Sequence, residues 1–98
     1  MIPRANIAES NTGCLMISGT LNFMTVVELW NASLSFIAKN PALQFDFSKV
    51  TAVNSAGLAL LLEWLRYAKS HNKMISFDNM PKQLLSIATV AGIEKFLV

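Results

Sequence analysis

The chain contains few side chains that could carry out chemistry, and none of them is spaced for catalysis. His71 is the only histidine and lies in a polar turn, and Cys14 is the only cysteine. A histidine that acts as a general base needs an oriented partner, and a zinc site needs several His or Cys ligands. The sequence also lacks a Walker A motif or other glycine-rich phosphate loop. It therefore predicts a protein that is not an enzyme and that holds no metal ion or cofactor.

Ser55 is a candidate for a binding role, because it lies where a helix is predicted to begin. A serine hydroxyl can cap the first turn of a helix by accepting a hydrogen bond from a free N–H group. A phosphoserine is also well tolerated at this position, because the helix N-terminus favours negative charge. The residue type and its position are consistent with both a capping serine and a phosphorylation site.

The helix that follows Ser55 carries apolar residues on two sides. Four leucines with i, i+3, i+4, i+7 spacing are predicted to pack on a sheet: Leu58, Leu61, Leu62 and Leu65. At 100° per residue, three large residues point nearly the opposite way: Leu60, Trp64 and Tyr67. Neighbouring helices could cover these three side chains. We predict instead that they form a partner surface, since Trp and Tyr are common interface anchors.

Length and composition indicate a single domain over residues 1–98. Hydrophobic residues make up 53% of the chain and charged residues 14%, which excludes a disordered protein. The net charge is +2 and the basic residues are scattered, so no nucleic-acid surface is predicted. The longest aliphatic run, residues 58–62, is too short to span a bilayer, and no signal peptide is visible. A cytoplasmic protein is therefore expected.

Hydrophobic periodicity predicts an α/β fold with the order β-β-α-β-α-β-α. The predicted strands and helices are, in order, Ala5–Glu9, Cys14–Ser18, a helix from Thr25 that stops before Pro41, Leu43–Phe47, Ala56–Ser70, Met74–Asp78 and Pro81–Ala91. The first two strands form a hairpin, and the β-α-β units imply parallel pairing. Because the strands alternate between apolar and polar residues, the helices are expected mainly on one face of the sheet.

Capping signals mark two of the helix ends. Thr25 and Glu28 have the spacing of a capping box, in which the Thr hydroxyl accepts from a free backbone N–H of the first helical turn and the Glu side chain reaches back to the cap residue. Gly92 is suited to the C-terminal cap of the last helix.

The residues around Ser55 resemble a known family. The stretch from Phe45 to Leu58 reads FDFSKVTAVNSAGL. It is similar to the central strand, loop and Asp-Ser/Thr-x-Gly-Leu motif of the STAS domain family (sulphate transporter and anti-sigma factor antagonist), with Asn54 in place of the motif Asp. The segment from Gly92 to Phe96 resembles the family's Gly-Leu-x-x-x-Phe ending. The resemblance implies a mixed sheet with helices packed on one side.

The resemblance implies one of two functions. In Mla-type ABC transporters, which move phospholipids and maintain outer-membrane lipid asymmetry, a cytoplasmic STAS subunit binds the ATPase subunit through the motif loop and the following helix. The expected contact residues are then Ser55, Ala56, Leu60, Trp64 and Tyr67, and the protein reaches the membrane only through the complex. Alternatively, the chain resembles anti-sigma factor antagonists, which bind an anti-sigma factor kinase and are switched by phosphorylation at the position of Ser55. We favour the first function, because the stretch Ser55–Leu61 looks closest to the transporter subunits.

Overall fold

The structure is a computed structural model that describes residues 4–90 and residue 92. The elements of this part follow the predicted order: β1 (Ala5–Glu9), β2 (Leu15–Leu21), α1 (Val26–Lys39), β3 (Ala42–Val53), α2 (Ser55–Ser70), β4 (Met74–Asp78) and α3 (Lys82–Val90). The helix bounds lie within one residue of the predicted ones, because most helix ends lie next to a residue that starts or stops a helix locally, such as Pro41 after α1 and Asn54 before α2. Of the segment that resembles the family's C-terminal ending, residues 93–96 lie outside the described residues.

The four strands form one mixed sheet in the order β1-β2-β3-β4. The β1–β2 pair is antiparallel, and β3 runs parallel to both β2 and β4, as predicted. Leu15, Phe45 and Phe77 lie side by side on the face that packs against the helices. The opposite face is mostly polar, although Met74 is exposed on it, and there the Gln44 amide donates a 2.8 Å hydrogen bond to Asp78. The alternating pattern therefore correctly indicated one covered face and one hydrated face.

Strand β3 is longer than its alternating segment. Only Ala42–Asp46 pairs with β4, whereas pairing with β2 continues as far as Val53. Its second half lies at the margin of the sheet, where alternate side chains no longer enter the core, so the period-2 signal is lost. This extension carries the chain directly to the start of α2.

The start of α1 differs from the predicted capping box. Thr25 occupies the N-cap position, but its side chain makes no capping hydrogen bond. The hydroxyl instead donates to the Thr20 carbonyl oxygen at 2.7 Å and accepts from the Asn22 N–H at 3.0 Å. The prediction that Thr25 and Glu28 cap this helix is therefore wrong. The buried hydroxyl is used to fasten the turn before α1 to the end of β2, and Glu28 is exposed.

The start of α2 is capped by Asn54 and not by Ser55. The Asn54 Oδ1 atom accepts a 2.8 Å hydrogen bond from the Ala56 N–H, and Ser55 is the first helical residue. The prediction that Ser55 caps this helix is therefore wrong, because the residue before it supplies the acceptor. Gly57 allows the first turn to pack closely on the sheet, since an added Cβ there would lie 2.5 Å from Val53 Cγ2.

The other end of α1 is held by charged side chains. The Lys73 ammonium donates to the carbonyl oxygens of Ile37, Ala38 and Asn40, which are left free where the helix ends. Glu9 on β1 forms an ion pair with Lys39 at 2.9 Å. Hydrogen bonds from Lys39 and then Asn40 lower the pKa of the Glu9 carboxyl group below its ordinary value. These contacts fix the direction of α1 across the sheet.

Candidate functional site

Trp64, which we predicted to lie on a partner surface, is fully buried in the structure. Its indole stacks on Phe45 with a ring-centroid distance of 4.2 Å, and its Nε1 atom donates a 3.0 Å hydrogen bond to Ser33 Oγ on α1. Leu60 is also buried, with 4% of its surface exposed. The prediction that Leu60 and Trp64 point away from the core is therefore wrong.

The error has a geometric cause. The buried face of α2 is centred on Gly57, Leu61 and Ala68, midway between the two apolar sides recognised in the sequence. Helix α1 lies over β1 and α3 lies over β3, and α2 contacts both helices. Both apolar sides of α2 are therefore covered by neighbouring helices, which is the alternative that we set aside. Leu62 and Leu65 are half-buried against the core.

Tyr67, the third residue of the predicted surface, is half-buried. Its ring meets the edge of Trp30 on α1 at a centroid distance of 6.4 Å and stacks on His71 at 3.9 Å. Tyr67 thus bridges α1 and the turn after α2, and part of it remains accessible.

His71 lies in the polar turn that the sequence indicated. Cys14 is buried, and burial is the main cause that raises the pKa of its thiol above the ordinary value.

Most of the large exposed apolar residues in the described part of the chain lie on α1 and in the turn before it. Phe23 is 74% exposed, Met24 66%, Val27 64% and Leu34 40%, and they make up four of the six exposed large hydrophobic residues in the described part of the chain. We call these four residues the α1 patch. We did not predict this patch, although the seven-residue spacing of Val27 and Leu34 places them on one face of a helix and Phe23 precedes Val27 by four residues.

The α1 patch borders an apolar groove between the first halves of α1 and α2. The groove has a volume of about 260 Å³, and we refer to it as the α1–α2 groove. Its lining consists of Phe23, Val26, Val27, Trp30, Ala56, Ala59, Leu60 and Glu63. Of the predicted contact residues, Ala56 and Leu60 line this groove although they are almost fully buried, and Trp64 lies in the core. Ser55 is exposed and lies directly before Ala56.

Glu63 is the one charged residue among the eight that line the groove. Its Oε1 atom lies 3.5 Å from Arg66 Nη1, and both side chains are more than half exposed. Within residues 4–90 and 92, no group of three or more His, Cys, Asp or Glu side chains is placed to hold a metal ion. No helix in the same part of the chain is long and apolar enough to cross a membrane. The chemistry that this site offers is apolar contact with a single carboxylate at its margin.

Comparison with protein-family models identifies the family. Residues 7–98 match the model described as "Mlab, STAS domain", which is almost the whole chain. The chain belongs to the STAS domain family. The stretch of this STAS domain that resembles the family motif runs from the buried Phe45 on β3, through the exposed Ser55 next to the α1–α2 groove, to the buried Leu58 on α2.

Two known proteins are similar to this STAS domain. The intermembrane phospholipid transport system binding protein MlaB of Haemophilus influenzae is 26% identical over 87 residues, which cover 85% of this chain and 83% of MlaB. The solved structure of the anti-sigma factor antagonist SpoIIAA in its unphosphorylated form superposes with a TM-score of 0.72. The match covers 96% of this chain and 85% of SpoIIAA at 13% identity, and it shows a shared fold.

Proposed function

We propose that this STAS domain is a non-catalytic, cytoplasmic subunit that binds the ATPase subunit of an Mla-type ABC transporter and stabilises or regulates it. In this role it contributes to phospholipid transport and to outer-membrane lipid asymmetry, and it meets the membrane only through the transporter complex. The similarity to a phospholipid transport system protein over most of both chains supports the choice of partner.

The observation that carries the proposal is the α1 patch beside the α1–α2 groove. Covering one large apolar side chain removes about 1.5–3 kcal/mol of unfavourable hydration, so an unoccupied patch of four such residues is costly. Lasting subunit interfaces are more apolar than transient ones, which fits a permanent transporter subunit. Ser55 and Ala56 belong to the same contact surface in this proposal, and half-buried Tyr67 lies at its far margin.

The test is a binding measurement with the full-length chain and the ATPase subunit. Val27→Asp should weaken binding more than tenfold, because it places an unpaired carboxylate in an apolar contact. The same variant should unfold at nearly the wild-type temperature, since Val27 is exposed and a negative charge is favourable in the first turn of a helix.

Ala32→Asp is the matched control. Ala32 is exposed on α1 but is rotated to the opposite side of the helix from Val27, so the same added charge should leave binding unchanged. Wild-type affinity of the Val27→Asp variant would rule out the α1 patch as the docking surface.

Anti-sigma factor antagonism is a second candidate function, and the exposed Ser55 favours it. In that function an anti-sigma factor kinase would phosphorylate Ser55, which is accessible at the first position of α2, where added negative charge is stabilising. Mass spectrometry of the chain isolated from its host should then find phosphate on Ser55 and none in Ser55→Ala. The variant should fold normally, because Asn54 supplies the cap. An unmodified Ser55 under all growth conditions would argue against this candidate.

A further inference from the structure

The shape of the α1–α2 groove restricts what can occupy it. The α1 side of the lining carries two aromatic side chains, Phe23 and Trp30, whereas the α2 side begins with the short side chains of Ala56 and Ala59 and continues to Leu60 and Glu63. The lining extends along α2 from Ala56 to Glu63, a length of about 10 Å or two helical turns. A cavity of about 150 Å³ is enough to hold a benzene ring, so the groove of about 260 Å³ can take one or two large side chains.

The walls favour a helical occupant over an extended one. Both walls are helices, in which only the N–H groups of the first turn lack a partner within the helix, so neither wall offers a row of free backbone groups like that of a strand edge. An extended segment would therefore find few backbone partners between them, and most of its own polar groups would be left unpaired on burial. A helix brings a satisfied backbone and projects apolar side chains at i and i+4 from one face. Ala59 is exposed on α2, and its short side chain allows such a helix to lie close to α2.

The charge at the margin of the groove indicates what else the occupant carries. Glu63 is the single charged lining residue, and its contact with Arg66 is an exposed pair at 3.5 Å. Pairs of this kind contribute little in water and are easily exchanged. A carboxylate covered by an incoming apolar helix needs a cationic partner, because an unpaired charge at a partly dry contact is unfavourable.

We infer that the α1–α2 groove receives one amphipathic helix of the ATPase subunit, which packs apolar side chains against Phe23, Val27 and Trp30 and pairs a Lys or Arg with Glu63. This inference rests on the proposed function and adds the chemistry of the partner segment to it. The apolar contacts supply most of the affinity, and the Glu63 pair fixes the direction in which the helix lies. A second copy of this chain is the competing occupant.

The test compares Glu63→Gln with Arg66→Gln in the full chain, each titrated with the ATPase subunit by calorimetry. Glu63→Gln should weaken binding about tenfold, the effect expected for losing a charge-assisted hydrogen bond at an interface. Arg66→Gln should leave the affinity unchanged or raise it, because it frees Glu63 for the partner. Added salt should weaken the wild-type complex more than the Glu63→Gln complex. Glu63→Lys should be rescued by a Lys or Arg to Glu change in one helix of the ATPase.

The outcomes separate this inference from the proposed function. If Val27→Asp weakens binding and Glu63→Gln does not, the docking surface stands and the cationic helix is ruled out. Equal losses for Glu63→Gln and Arg66→Gln would also overturn it, since they would show that the two side chains act together within α2. Sedimentation of the chain alone that shows a dimer, lost in Val27→Asp, would place a second copy in the groove. An ATPase subunit that does not bind the wild-type chain overturns both proposals.

Discussion

Replacing Trp64 with alanine is expected to reduce the free energy of unfolding by about 3–5 kcal/mol. The indole is fully buried, stacks on Phe45, and donates a hydrogen bond to Ser33. Its removal leaves a cavity at the junction of α1, α2 and the sheet, and a rigid sheet cannot collapse to fill it. Chemical denaturation followed by circular dichroism measures the loss. Trp64→Phe should lose less stability than Trp64→Ala, because the phenyl ring keeps most of the packing. The remaining loss comes from the missing hydrogen bond to Ser33.

Trp30 provides the matched comparison, since the chain has two tryptophans and they differ in location. Trp30 is half-buried and lines the α1–α2 groove, so Trp30→Ala should weaken binding of the ATPase subunit while costing much less stability. The folded fraction of Trp64→Ala should still bind. If Trp64→Ala instead unfolded like the wild type and failed to bind, Trp64 would belong to the partner surface and the buried placement would be incorrect.

Leu61→Ala is expected to cost about 2–5 kcal/mol of stability. Leu61 has no exposed surface and lies at the centre of the buried face of α2, where α2 packs on the sheet. The truncation to alanine removes buried apolar surface and also contacts with close-packed neighbours. Thermal unfolding by calorimetry should show a melting temperature well below that of the wild type.

Leu62→Ala is the control, because it makes the same chemical change one residue along the same helix. Leu62 is half-buried at the edge of the core, so it buries less area and leaves a site that water can fill. Its loss of stability should be clearly smaller than that of Leu61→Ala. Equal losses would mean that the buried face of α2 is centred nearer to Leu62 than the structure places it.

The secondary structure of this chain could be predicted because its signals are local. Alternation over Leu43–Phe47 and Met74–Asp78 indicated half-buried strands, and the β-α-β order then required parallel pairing. The turn at His71 and the proline at position 41 ended helices where they were expected to end. The polar outer face of the sheet followed from the same alternation, since side chains along a strand point to opposite faces in turn.

The details of helix capping could not be predicted from residue types alone. Asn54 and Ser55 are both good N-cap residues, and the choice depends on where β3 ends and how Gly57 fits against Leu21 and Val53. The Thr25 hydroxyl is within reach of the Thr20 carbonyl oxygen only because the chain turns sharply after β2. At both helix starts, the backbone geometry decides which side chain caps the helix and which backbone group the side chain bonds.

Local sequence signals were enough to predict the order of elements, the α/β class and the abundance of apolar residues on α2. The accessibility of those residues depends on tertiary packing, because helix periodicity gives the angle between side chains and not the position of the neighbouring helices. Trp64 is buried because Ser33 and Phe45, from distant segments, come together around it. The α1 patch and Glu63 border one groove because the packing of α1 against α2 brings Val27 and Ala59, far apart in the chain, to opposite walls.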